Sequence, residues 1–350
     1  MRRTLVRPTP SPKVKCLLPP FVPIFRNPHL LTIAGNFWPR RLDLTRFPVH
    51  ANLYETEPGV QVLVHSQRPA AEPHAQLILV HGLEGSSDAG YARSLAQAAL
   101  EAGYTVHRFN MRSCGGTEAL SGNTLYHSGQ TCDVLAVAKE LTKSNLPIYL
   151  IGFSLGGNVV LKLAGELGEQ AAGVIDGVCA VSTPIDLAAC VRRLLQHSNF
   201  IYAKRFLKSL KKRVALKESL TPGLFDLTRL KSIKTIYDFD DVYTAQSFGF
   251  GSADNYYATQ SAERFIGRIR TPALLVQAKD DPLVPFEIFS HRAFSENPHL
   301  RLFAPDHGGH LGYISKEKPR LWLDGLLLEW LGGLESENYR IIEFGRADGI

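Results

Sequence analysis

Five residues, Gly152-Phe153-Ser154-Leu155-Gly156, constrain this 350-residue chain more than any other stretch. The run before them, Pro147-Ile148-Tyr149-Leu150-Ile151, is apolar and partly β-branched, as a buried strand requires. After them Val160, Leu163, Ala164 and Leu167 recur at helical spacing, and Gly168 stands where a helix stop belongs. A Gly-x-Ser-x-Gly between strand and helix is the setting of a nucleophile elbow. The turn is tight, and its glycines leave room where a Cβ would clash. It lifts a serine hydroxyl to the edge of a sheet, above a helix N-terminus whose free N–H groups favour negative charge. The bland alternative is a glycine-rich turn with a solvated serine, and the strand-helix setting argues against it.

The elbow belongs to a repeating pattern. Buried strands are predicted at 76–80, 104–109, 147–151, 177–182, 271–278 and 300–304. Helices are predicted over 91–102, 129–143 and 317–331. This alternation predicts an α/β fold, a mostly parallel central sheet with helices on both faces. Residues 44–53 and 60–66 read as an edge hairpin. Between 187 and 268 the rhythm breaks into helical patterns with no central strand, so this stretch reads as a helical cap inserted over the rim. The expected organisation is a basic, proline-rich arm over 1–26, a core in two parts over 27–186 and 269–335, the cap over 187–268, and a polar tail over 336–350. Asn27-Pro28-His29-Leu30-Leu31-Thr32-Ile33 reads as a short helix start or turn, with His29 structural.

Ligands in such sheets bind beyond the carboxyl ends of the strands. Loops leaving three of those ends gather His81-Gly82, Arg112-Ser113-Cys114-Gly115 and Ser154 at one rim. A serine hydroxyl needs a base within hydrogen-bond reach, and a histidine base needs an acid to hold its tautomer. Asp281 and His310 stand on loops leaving the last two strands. Asp281 is preferred to Asp280 because it directly precedes Pro282-Leu283-Val284-Pro285. His310 is preferred to His307 because it lies deeper in a glycine-rich loop and precedes Leu311-Gly312. Two backbone N–H groups are needed for an oxyanion hole, and Leu83 and Leu155 are expected to supply them. His81 is expected to prop its loop.

Composition bounds the partners. The net charge of +6 is concentrated partly in the first fifteen residues and in 192–217, so no nucleic-acid partner is expected. Five cysteines without a Cys-x-x-Cys pair suggest free thiols in a reducing compartment and no zinc site. No apolar run reaches the roughly 20 residues of a membrane span. A cytoplasmic location follows as the expectation, with the oligomeric state open.

His81-Gly82-Leu83-Glu84-Gly85-Ser86, Arg112-Ser113-Cys114-Gly115-Gly116, the elbow with Gly157-Asn158, Tyr237-Asp238-Phe239-Asp240-Asp241, Asp280-Asp281-Pro282 and His307-Gly308-Gly309-His310-Leu311-Gly312 together resemble the YheT-like family of α/β-hydrolases, the AB hydrolase 4 family. Asn27-Pro28-His29-Leu30-Leu31-Thr32 fits it too, and the likeness spans about residues 20 to 330. The resemblance implies an α/β-hydrolase fold and a serine hydrolase acting on carboxylic esters, often with short- or medium-chain acyl groups. Its triad positions fall on Ser154, Asp281 and His310, in the chain order serine, acid, histidine.

The expected partner is a small-molecule ester, with no cofactor and no metal. His81, Arg112, Asn158, Tyr237 and Tyr256 are candidate pocket residues. From Arg192 to Lys217 there are nine Lys or Arg and no acid, while Phe206, Leu207, Leu210 and Val214 give one apolar face. That stretch reads either as a cap helix covering the rim, the preferred reading, or as a basic helix making peripheral contact with a membrane. Four rival readings remain, the first two with the same triad. They are an acyltransferase, a lipid-directed esterase, a metal hydrolase built on Asp306, His307 and His310, and a non-catalytic binding module.

Overall fold

In the computed structural model, which describes residues 14–15, 18–335 and 342–343, apolar runs form an eight-stranded sheet. β1 (His50–Glu57) and β2 (Val60–Gln67) make an antiparallel edge hairpin. β3 (Ala75–Val80), β4 (Tyr104–Phe109), β5 (Ile148–Phe153), β6 (Gly177–Val181), β7 (Ala273–Val276) and β8 (Leu300–Phe303) run parallel. The order across the sheet is β1-β2-β4-β3-β5-β6-β7-β8.

Every residue of β3, β4 and β5 is buried, because helices cover both faces of a parallel sheet. Helix α1 (Pro28–Phe37) precedes the sheet; α2 (Gly90–Glu101), α3 (Cys132–Leu141) and α4 (Leu155–Leu167) lie between its first parallel strands. The cap helices α5 (Leu187–Leu194), α6 (Phe200–Leu220) and α7 (Ala253–Gln260) come between β6 and β7, and α8 (Trp322–Glu335) follows β8. Alternation sends Leu77 and Leu79 to the face packed by Leu95, Trp322 and Leu326. Ile78 and Val80 go to the face packed by Val160 and Leu163. Residues 18–26 of the arm lie on the core, where Trp322 Nε1 donates to the Pro19 carbonyl at 2.7 Å and Lys316 N–H to Val22 at 2.7 Å. Residues 1–13, 16–17, 336–341 and 344–350, which take in most of the expected arm and nearly all of the tail, lie outside the described residues.

Three boundaries differ most from the sequence reading. The first strand begins at His50, because the Asp43 carboxylate accepts from Thr45 N–H and Arg46 N–H and closes a turn that buries Phe47. The short helix start or turn expected at 27–33 is the beginning of a helix that runs on to Phe37, capped by the Asn27 side chain, which accepts from His29 N–H and Leu30 N–H. The last helix starts at Trp322, after a turn in which Ser315 N–H donates to the Arg320 carbonyl.

Candidate active site

Ser154 caps α4 at φ 52° and ψ −120°, a conformation that costs a non-glycine residue about 1–3 kcal/mol. Its own N–H is pinned to the Val181 carbonyl at 2.8 Å. Glycine neighbours make the turn feasible: a Cβ at Gly152 would strike the Gly156 carbonyl, and one at Gly156 the carbonyls of Val80 and His81.

His310 Nε2 lies 3.0 Å from Ser154 Oγ, and His310 Nδ1 lies 2.9 Å from Asp281 Oδ2. The fully buried Asp281 carboxylate also accepts from Leu283 N–H at 2.8 Å, Val284 N–H at 3.1 Å and Gln277 Nε2 at 3.2 Å. The His310 loop is held from two sides: His310 N–H donates to Thr32 Oγ1 on α1 at 2.9 Å, and Leu311 N–H to Ser182 Oγ at 3.2 Å. Asp280 turns the other way, accepting from Gly309 N–H at 2.9 Å and meeting His307 Nδ1 at 3.0 Å. Asp306 pairs with Lys279 at 2.8 Å, so Asp306, His307 and His310 each face a different partner.

The loop after β3 presses on the serine. A Cβ at Gly82 would meet Ser154 Cβ at 3.0 Å. His81 sits beneath, accepting from Met111 N–H at Nε2 (3.1 Å), which leaves Nδ1 to donate to the Gly82 carbonyl at 2.8 Å. Burial lowers its pKa to about 4, keeping the imidazole neutral. Glu84 then takes a left-handed φ of 55°. Its N–H donates to Tyr126 Oη at 2.9 Å. Its carboxylate binds cap helix α6: Arg213 Nε at 2.7 Å, Arg213 Nη2 at 3.1 Å and Ser209 Oγ at 2.6 Å. Burial would raise the Glu84 carboxyl, but Arg213, Ser209 and the Tyr126 hydroxyl outweigh it and hold the pKa below the usual carboxylate range.

The cavity over Ser154 is roofed by the cap. Leu187, Val191, Leu194, Phe206 and Leu210 form its apolar wall, and His127, Asp240, Thr244, Tyr256 and Tyr257 a more polar one. Among the described residues Cys114, Cys132, Cys179 and Cys190 carry free thiols, and Cys190 faces this cavity. No helix among the described residues is long and apolar enough to cross a membrane.

A family model for the α/β-hydrolase fold matches residues 76–317. YheT of Escherichia coli (strain K12), which is named as an esterase, is 32% identical over 320 residues, 89% of this chain and 92% of that protein. The chain is a YheT-like α/β-hydrolase. The monoacylglycerol lipase of Saccharomyces cerevisiae is 30% identical over 70% of this hydrolase and 56% of its own length. The esterase Pf2001 of Pyrococcus furiosus superposes with a TM-score of 0.56 at 21% identity, over 84% of this chain and 96% of that one, which shows the shared fold. The family is thus one of esterases and lipases.

Of the candidate pocket residues in this YheT-like chain, Tyr256 lines the cavity and four do not. His81 lies below the loop. Arg112 turns away to Asp133, at 2.7 Å for both contacts, and to Glu57 at 3.0 Å. Asn158 ties core to cap, donating to the carbonyls of Ser128 (2.8 Å) and Gln260 (2.9 Å) and accepting from Ala262 N–H. Tyr237 misses because the turn Ile236–Phe239 directs Ile236 and Phe239 inward at i and i+3, and its ring packs on Tyr257 instead. Sequence reasoning missed the Glu84–Arg213 pair, whose partners are 129 positions apart with no local signal joining them.

Proposed function

We propose that this chain is a serine carboxylesterase cleaving esters of short- to medium-chain acyl groups, with Ser154, Asp281 and His310 as its triad. The observation that carries this reading is the unbroken hydrogen-bond line from Asp281 Oδ2 through His310 to Ser154 Oγ, at 2.9 and 3.0 Å. With Nδ1–H directed at Asp281, Nε2 is the free acceptor for the serine proton. Ser154 Oγ attacks the acyl carbon while its proton passes to Nε2. The carbonyl oxygen gains the negative charge, and the N–H groups of Leu83 and Leu155 receive it. Neither N–H donates elsewhere among the described residues. Removing one such donor typically costs ~100- to 1000-fold. The tetrahedral intermediate expels the alcohol, which takes the proton from Nε2. Water, deprotonated by the same nitrogen, attacks the acyl-enzyme, and collapse returns the proton to Ser154 and releases the acid.

The apolar wall of Leu187, Val191, Leu194, Phe206 and Leu210 suits an alkyl acyl chain. The same wall fits a lipid-directed esterase, a reading that the monoacylglycerol lipase among the relatives also favours. The free thiols of Cys114, Cys132, Cys179 and Cys190 favour the reducing cytoplasm as the chain's location. The test is hydrolysis of p-nitrophenyl esters of two to about twelve carbons by wild type and Ser154→Ala, with alcohol acceptors added in a parallel series. Loss of at least ~10⁴-fold in kcat for the folded variant is expected. Equal rates in both proteins would remove the serine mechanism. Ester products with the added alcohols would shift the reading to acyl transfer.

A further inference from the structure

Cap helix α6 and helix α1 meet at the surface. His29 Nδ1 lies 3.2 Å from Tyr202 Oη, and the two rings stack 5.8 Å apart. Large apolar side chains surround this seam. Phe37 on α1 is 72% exposed and Ile201 on α6 is 77% exposed, with Leu30, Ile33, Leu195 and Phe200 each about half exposed. Leu30, Ile33 and Phe37 share one face of α1 at i, i+3 and i+7. On α6 the exposed residues Ile201, Lys204, Arg205, Lys208 and Lys212 form one outward stripe.

The two stretches that carry this apolar area have charge of one sign. Nine Lys or Arg and no acid lie from Arg192 to Lys217, and three Arg with no acid lie from Arg26 to Arg41. Part of the basic stretch is turned inward: Arg213 binds Glu84, Lys211 the carbonyls of Leu230 and Ile233, and Lys217 that of Glu118. Among the described residues Lys204, Arg205, Lys208 and Lys212 make no ion pair. Exposed apolar side chains edged by such cations mark an interaction surface. Self-association through it would set like charges against one another. An anionic lipid surface satisfies both parts, since the apolar side chains enter the headgroup boundary and the cations meet phosphates.

We propose that the α1–α6 face docks on an anionic lipid surface. The elements it would anchor also build the site. The inner faces of α5 and α6 wall the cavity, and α1 holds the His310 loop through Thr32. Docking goes beyond the esterase reading, and its assay reads no hydrolysis, so the two fail separately.

The test is co-sedimentation of the full chain with sucrose-loaded vesicles of phosphatidylcholine alone or with about a third phosphatidylglycerol. Binding to the anionic vesicles is expected, at least ~10-fold weaker on phosphatidylcholine and in high salt. Lys204→Glu with Lys208→Glu is expected to weaken it on the order of 100-fold, and Phe200→Ser with Ile201→Ser at least ~10-fold. All four side chains are exposed and none lines the cavity, so hydrolysis of a soluble ester should change by less than about twofold. The proposal is overturned if wild type stays in the supernatant or if both pairs bind as wild type does. It is also overturned if wild type is a dimer that Phe200→Ser with Ile201→Ser makes monomeric, which would give the face to a second copy.

Discussion

The rim of the core and the underside of the cap face the same cavity but are built by different rules. At the rim, Ser154, Asp281 and His310 each follow a parallel strand, and backbone or short side-chain bonds fix each loop. In the cap, Phe206, Leu210, Asp240 and Tyr256 come from helices and irregular turns that hold one another up in two small clusters. The proposed triad is thus set by the sheet, whereas the cavity wall above it is set by contacts between distant segments. Changes at the rim should act on the chemical step with little effect on folding, and changes at the core-cap junction should act on both.

The largest effect is expected within the rim itself. Asp281→Asn keeps size and burial but presents an amide to His310 Nδ1, which favours the wrong tautomer. A loss of about 10³- to 10⁴-fold in kcat is expected, with the melting temperature nearly unchanged. The neighbouring Asp280→Asn disturbs the bonds to His307 and Gly309 and should lower kcat by less than about tenfold. Equal losses in the two variants would undo the assignment of the acid.

The rim was largely legible because its signals are local. Strand, glycine and functional residue follow one another within a few positions, and the strand order brings separate loops to one edge. The first strand starts later than expected because Leu42 and Leu44 alternate as strand residues do, while Asp43 in fact closes a turn. The cap was legible only as a helical insertion. Nothing in a run of nine cations says which will point inward, and Arg213 and Lys217 do so because Glu84 and the 118–122 loop meet them from the core. Tyr237 and Tyr256 are equally aromatic in sequence; helix phase alone puts the second in the cavity.

The core-cap junction should show a mixed effect. The Glu84 and Arg213 side chains are 5% and 12% exposed, so removing one leaves a buried charge without its partner, at about 3–5 kcal/mol. Glu84→Gln and Arg213→Met should each lower the melting temperature clearly. Together they should recover much of it, since both charges are gone. Catalysis should not recover with stability. Glu84 directly follows Leu83, so loosening it shifts a proposed oxyanion donor, and kcat is expected to fall about 10- to 100-fold with KM changed less than about threefold. Full kcat in the double variant would make the pair a stabilising clamp with no bearing on the oxyanion loop.

The smallest effect is expected inside the cap and is read by pH. Asp240 accepts from Tyr257 Oη at 2.7 Å and Thr244 Oγ1 at 2.7 Å, yet burial prevails and raises its pKa from 3.8 to about 6. A carboxyl whose folded pKa is raised keeps its proton longer in the folded chain than in the unfolded one. Stability associated with it is therefore present below pH 3.8, falls as pH rises towards 6, and is level above that. Asp240→Asn has no such titration, so its melting temperature relative to wild type should climb between about pH 4 and 6 and then flatten. Asp324, also raised to about 6 by burial, titrates over the same interval in both proteins and drops out of the difference. A difference independent of pH would mean that the two hydroxyl donors compensate burial fully, and that this wall of the cavity holds its charge as readily as water does.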